Sequence, residues 1–167
     1  MSRRAIPHSD RPMSLDTVRA FLAEKAPDID VLVLPTSTAT VELAAAGHGV
    51  APGQIAKTLS LRVGERVFLV VARGDARLDN KKAKVVFGGK VSMLGADEVV
   101  AITGHPIGGV CPFGLATPLP IYCDVSLKAF DEVLPAAGST HAAIRIAPVR
   151  LAAITGAEWV DVCKTTE

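Results

Sequence analysis

The run Val67 to Ala72, VFLVVA, is apolar at every position. A strand with one face in water alternates apolar and polar residues. A short unbroken run of this kind, rich in β-branched side chains, therefore belongs to a strand covered on both faces. Such a strand demands a sheet with packed material on each side. Leu59 to Val63 lies upstream across Gly64-Glu65-Arg66, so the two segments read as a β-hairpin with VFLVVA as the central arm.

The remaining elements follow from caps and periodicity. Ser14 ahead of Leu15, Val18, Phe21 and Leu22 predicts an amphipathic helix that ends before Pro27. Val31 to Leu34, bounded by Asp30 and Pro35, reads as a short buried strand. Thr38 or Thr40 is placed to cap a helix through Val41, Leu43, Ala44 and Ala45, closed by Gly47 or Gly49. Pro52-Gly53 marks a turn from which Gln54 to Thr58 leads out. Asp79 caps a short basic helix ending at Gly88-Gly89, Lys90 to Leu94 is a brief strand, and Ala96 to Thr103 is another helix. Ile121 to Val125 reads as a strand, followed by a turn or short helix at Leu127 to Phe130. Val133 to Ala136 and Ala142 to Ile146 read as a second antiparallel pair around Gly138. Pro148 suits the first position of a helix that stops at Gly156, and Trp159 to Val162 is a final strand. The expected fold class is α/β of the α+β kind: a single domain with a mixed, mostly antiparallel sheet surrounded by helices. Residues 1–12, with three Arg and two Pro, read as a flexible tail and not a signal peptide, leaving 13–167 as the domain.

The 167 residues are enough to bury roughly two-thirds of the unfolded surface in one core. Net charge is +1, from 18 Lys and Arg against 17 Asp and Glu, so any contact with nucleic acid has to be local. Cys111, Cys123 and Cys163 are odd in number and widely spaced, which argues against a disulfide framework or zinc site and suits a reducing cytoplasm. No apolar run approaches the roughly 18 residues of a membrane span.

Gly104 to Leu115, GHPIGGVCPFGL, carries four glycines and two prolines and cannot continue a helix or central strand. Ile107, Val110, Phe113 and Leu115 nonetheless require it to be packed down. A packed glycine-rich loop brings bare backbone N–H and C=O groups close to a ligand, or else simply makes a tight connection. Lys57 shares the parity of Ile55, Leu59 and Leu61, so its ammonium must reach an edge or a partner, where it could hold a phosphate or carboxylate. His105 and His141 are candidates to line a pocket, and no histidine pair has metal-ligand spacing. Cys111 is a candidate nucleophile with no base beside it in sequence. Lys81, Lys82 and Lys84 read as a solvated helix face or as a patch for an RNA backbone. No phosphate-binding or dinucleotide fingerprint and no Ser-His-Asp pattern is present.

Four segments together, TATVELAAAGHGV, PGQIAKTL, RGDARLDNKKAKVVFG and TGHPIGGVCPFGL, resemble the YbaK family of aminoacyl-tRNA deacylases, relatives of the editing domain of bacterial prolyl-tRNA synthetases. The resemblance runs in order from about Ser14 to Val162. It implies a stand-alone hydrolase that removes a wrongly attached amino acid from the 3′ end of tRNA, with no cofactor. In that reading Lys57 holds the terminal adenosine and its phosphate, and Gly104, Gly108 and Gly109 form the reaction loop that positions the ester and the attacking water. Thr38, Thr40, His105, Val110, Cys111, Pro112, Phe113 and His141 are the expected substrate-binding residues. Family members acting on cysteinyl-tRNA carry a Ser and an Asp where Ala136 and Ala143 stand here. The prolyl-editing relatives carry a Gly-x-x-x-Pro spacing where Gly104 is followed at that distance by Gly108. Ala, Ser, Thr and Cys all remain open as the amino acid removed. The alternative reading is a non-catalytic module that binds a tRNA end or a nucleotide, or docks on an aminoacyl-tRNA synthetase.

Overall fold

In the computed structural model, which describes residues 14–165, β3 (Arg66–Arg73) runs through the interior of a six-stranded sheet. On one side it pairs antiparallel with β2 (Ile55–Val63), and on the other parallel with β6 (Ile121–Asp124). β9 (Glu158–Val160) extends the sheet in parallel beyond β6. The outer edge of β2 takes two short strands, β5 (Ser92–Met93) antiparallel at Leu61 and Arg62, and β7 (Leu134–Pro135) parallel at Ile55 and Ala56. Phe68, Leu69, Val70, Val71 and Ala72 are all at most 2% exposed, as an apolar run on both faces requires. Burying each large side chain of this run contributes about 1.5–3 kcal/mol.

Helices cover both faces. Val71, Ala56 and Cys123 pack with α1 (Ser14–Lys25), through Val18 and Leu22, and with α5 (Pro148–Thr155), through Leu151 and Ala152. Phe68, Val70 and Ala72 pack with α3 (Asn80–Phe87), through Ala83 and Phe87. The rings of Phe68 and Phe87 lie 4.4 Å apart, with Tyr122 edge-on to both. A smaller cluster joins α2 (Val41–His48), through Ala44 and Ala45, to Ile55 and Leu134. α4 (Ala96–Thr103) delivers the chain to the glycine-rich loop.

The ends of α2, α3 and α5 are as the caps predict, whereas Ser14, expected to cap the first helix, is the first residue of α1 and turns its hydroxyl to His105 Nδ1. Thr40 Oγ1 accepts from the Leu43 amide at 3.1 Å, and the Asp79 carboxylate accepts from the amides of Lys81 and Lys82. Gly49, Gly88, Gly104 and Gly156 close α2, α3, α4 and α5 in the left-handed conformation. Ten antiparallel residue pairs against eight parallel ones hold the six-stranded sheet, which is mixed as expected.

Several boundaries differ. β2 begins at Ile55, so the segment read as leading out of a turn is already strand, and the hairpin loop is only Gly64-Glu65. The strand expected at Val31 to Leu34 shrinks to β1 (Leu32–Val33). It pairs only with β8 (Ala142–Ala143) outside the main sheet, which leaves Val33 52% exposed rather than buried. The second antiparallel pair survives as bridges Val133 to Ile146 and Ala136 to Ala143. The residues between give a different edge to β2, a pairing no local pattern encodes. The final strand divides into β9 and β10 (Cys163–Thr165), and β10 pairs with β4 (Ala76–Leu78). The tail expected at residues 1–12 lies outside the described residues. Among the described residues no helix is long and apolar enough to cross a membrane.

Candidate active site

The site begins with a gap in a strand edge. Ser60 C=O accepts from Leu94 N–H at 3.0 Å, while Leu69 N–H, opposite Ser60, donates away to Pro120 C=O at 3.0 Å. The even-numbered residues of β2 therefore turn their main-chain groups outward. β7 covers that edge at Ile55 and Ala56, and β5 covers it at Leu61 and Arg62. Between them, at Lys57 to Ser60, no strand among the described residues lies against it. A cavity of about 370 Å³ occupies the gap.

Odd and even residues of β2 point to opposite faces, and both reach the cavity because it sits at an uncovered edge. From β2 come Lys57, Thr58 and Ser60. The entry to α2 supplies Thr38 and Thr40, the glycine-rich loop supplies Ile107, Gly108 and Val110, and the late bridged segments supply Ala136 and Ala143. Among the described residues Lys57 is the sole ionisable side chain in this wall. It has the register expected of it, opposite Ala72 in β3, and its ammonium donates to the carbonyl of Ala76. Burial pushes its pKa below the ordinary lysine value, opposed by the negative charge of neighbours that include Asp75 and Glu42.

The glycine-rich loop divides at Val110. Gly108 has φ +87°, and a Cβ there would lie 2.7 Å from the Cβ of Ala39, so the close contact between loop and α2 entry needs glycine. The amides of Gly108 and Val110 find no main-chain acceptor among the described residues. Gly104 and Gly109 differ from expectation. Their N–H groups donate to Val100 and Pro106 carbonyls at 2.9 Å each, closing a helix and a turn, and neither residue lines the cavity.

Beyond Val110 the loop enters the core. Cys111, Pro112 and Phe113 are buried, Phe113 stacks near Phe21 with ring centroids 5.7 Å apart, and none of the three lines the cavity. His105 is fully buried as well. Its Nδ1 is paired with the Ser14 hydroxyl, and its Nε2 sits 2.7 Å from Phe113 O and 3.5 Å from Cys111 Sγ. This resembles a Cys-His pair, yet burial pushes the Cys111 thiol up to about 12 and pushes the imidazole below its usual value. Both are held neutral and away from solvent, which corrects the nucleophile reading. His141 stands outside the cavity wall. Its Nδ1 is 2.9 Å from Thr140 Oγ1, and its carbonyl accepts from Leu34 N–H.

Thr38 and Thr40 do line the cavity, with hydroxyls already engaged: Thr38 Oγ1 donates to Thr140 C=O at 3.1 Å, and Thr40 caps α2. Sequence reasoning missed Thr58 and Ser60. Thr58 Oγ1 is buried without a hydrogen-bond partner among the described residues, and Ser60 is only 5% exposed. The signal was present, because hydroxyl residues alternate with Leu59 and Leu61 opposite the fully apolar strand. Hydroxyls placed against Leu69 and Val71 need a reason. Among the described residues no three His, Cys, Asp or Glu side chains group as for a metal ion.

Comparison with known proteins bears on this geometry. Residues 36–154 match the family model for the aminoacyl-tRNA editing domain. The chain is 49% identical over 157 residues to YwhH of Bacillus subtilis (strain 168), covering 93% of this chain and all of that one. It is 31% identical over 126 residues to EbsC of Enterococcus faecalis, assigned as a Cys-tRNA(Pro)/Cys-tRNA(Cys) deacylase, with 74% and 76% of the two chains covered. A solved structure described as a trans-editing enzyme for prolyl tRNA synthetase superposes with TM-score 0.84 at 37% identity, over 90% of this chain and 97% of that one.

Proposed function

The chain belongs to the aminoacyl-tRNA editing domain family, and on that premise we propose that it is a trans-editing hydrolase of the cytoplasm that cleaves a small amino acid from mischarged tRNA. The observation that carries this reading is the cavity itself, where Lys57, the uncovered edge of β2 and the Gly108 segment meet. Its volume lies at the small end of the range for ligand pockets, as a single aminoacyl group requires.

Among the described residues the wall offers no carboxylate, imidazole or thiol as general base, so the reading relies on positioning. An aminoacyl ester is an activated bond. Orientation of a water against it, with donors at the developing oxyanion, supplies the acceleration. The amides of Gly108 and Val110 are the candidate donors, replacing Gly104 and Gly109 in that role. Water adds to the ester carbonyl carbon and the oxyanion forms against the amides. The carbon–oxygen bond to the ribose then breaks, and the ribose oxygen leaves carrying a proton. Lys57, as a compact cation, anchors a phosphate of the terminal adenosine.

Ala136 and Ala143 make part of the wall small and apolar, and Thr58 and Ser60 add hydroxyl residues to it. That mixture favours serine or threonine over alanine, because a site with unpaired polar groups discriminates against an analogue that leaves them unpaired. A deacylation panel with Ala-, Ser-, Thr- and Cys-charged tRNA tests both levels. Faster hydrolysis of at least one ester than its spontaneous rate supports the enzyme, with Ser or Thr expected first. Saturable binding with no turnover across the panel would support the binding-module alternative instead.

A further inference from the structure

In the β4–β10 ladder Arg77 and Lys164 stand directly opposite each other. Both are exposed, while Ala76 and Cys163 beside them are buried, so the two cations share the outer face. Like charges placed directly across a strand pair destabilise it. No ion pair among the described residues relieves them. The nearby carboxylates are committed elsewhere. Asp79 accepts from the first amides of α3, and Asp161 holds the Lys82 ammonium at 3.0 Å. Lys81 and Lys84, one turn apart on α3, are also exposed and make no ion pair among the described residues.

These cations form one path that starts at the cavity. Ala76, whose carbonyl receives the Lys57 ammonium, immediately precedes Arg77. The Asp79 N–H in turn donates to Val162 C=O at 2.7 Å and the Lys82 ammonium donates to Cys163 C=O, which holds the start of α3 against β10. With a net charge of only +1, this is local segregation of charge rather than a general excess. The geometry points to an RNA-backbone track: Arg77, Lys164, Lys81 and Lys84 take the phosphates of the nucleotides that precede the 3′ end whose ester enters the cavity. A phosphate between Arg77 and Lys164 removes their repulsion, and the arginine fork suits it in two-pronged fashion. Placement of the ester in the cavity rests on the proposed function. The electrostatic claim does not.

Binding of an uncharged tRNA transcript, followed by fluorescence anisotropy between about 50 and 200 mM salt, tests the track without requiring catalysis. In the Arg77→Gln, Lys164→Gln double variant the slope of log K against log salt should flatten by about 2, with affinity at low salt reduced about 10–100-fold. Its unfolding midpoint should hold or rise by about 1–3 °C, since a repulsion is removed. An Arg19→Gln, Lys25→Gln variant, which removes two exposed cations from α1, should keep the wild-type slope. If it flattens the slope as much as the ladder variant, or if the ladder variant binds as wild type, the track is wrong.

Hydrolysis separates the two claims. The ladder variant should cleave a 3′-aminoacylated adenosine, which lacks the preceding phosphates, at the wild-type kcat/KM, while its KM for full-length charged tRNA rises about tenfold or more. A wild-type protein that cleaves neither substrate defeats the deacylase reading and leaves the salt slope to decide the track. A variant with unaltered KM and slope defeats the track alone.

Discussion

The two halves of the glycine-rich loop invite comparison, since each brings chemistry-bearing groups together and only one leaves them available. From Cys111 to Phe113, with His105, the polar groups are deeply buried and satisfied: both imidazole nitrogens and the thiol have partners. From Ile107 to Val110, opposite β2, the groups are ordinary amides and hydroxyls, yet among the described residues Thr58 Oγ1 lacks a partner and the Gly108 and Val110 amides lack a main-chain acceptor. A buried group with its hydrogen bonds made stabilises the fold, whereas an unmade bond facing empty space is capacity held for a ligand. Residue type alone would favour the Cys-His pair; satisfaction and access favour the gap in the strand.

Breaking the open half should produce the largest effect. Gly108→Ala drives a Cβ into Ala39 at a positive φ, displaces the loop amides, and is expected to lower the deacylation kcat about 10²–10³-fold. A kinetic assay on the folded variant checks it, and a wild-type rate would remove the loop from the reaction. Lys57→Ala comes next, with kcat/KM reduced about 10–100-fold, the range for losing a hydrogen bond to a charged group, and with circular dichroism unchanged.

The satisfied half should respond in stability instead. His105 is held neutral by burial, its pKa below the ordinary 6.5, so between the folded and unfolded values the unfolded chain binds more protons. Stability is full above about pH 6.5 and is lost as pH falls below it, at up to about 1.4 kcal/mol per pH unit. Denaturant unfolding as a function of pH should show this slope and His105→Gln should reduce it, while His48, shifted the same way by burial, keeps a remainder. Catalysis by the folded fraction of His105→Gln should continue. The smallest effect is a change of preference: Thr58→Val is expected to shift the ratio of Ser- or Thr- to Ala-ester hydrolysis about 2–10-fold toward alanine, read from competing substrates. A ratio that stays put would show that Thr58 does not read the side chain.

Legibility in the sequence followed the range of the interaction. Thr40, Asp79, Pro148 and the closing glycines are decided by bonds within a few residues of themselves, and their helices were readable to within a residue or two. Lys57 was readable because strand parity is local. The fate of His105 was not, because its partners are Ser14, on α1, and Phe113. Nor was the role of Thr58, whose meaning depends on which stretch of edge two distant strands leave open.

By itself, then, the amino-acid order determined the helices and where they end, the central placement of VFLVVA and the inward parity of Lys57, all consequences of local backbone geometry and of period-2 or helical burial. Only the tertiary structure decided the parallel pairings of β6, β7 and β9, the gap at Lys57 to Ser60, and which polar groups were left unsatisfied around it. The physical reason is that hydrogen-bond satisfaction is a property of pairs, and the partners here are separated by tens of residues and meet only when the sheet is assembled.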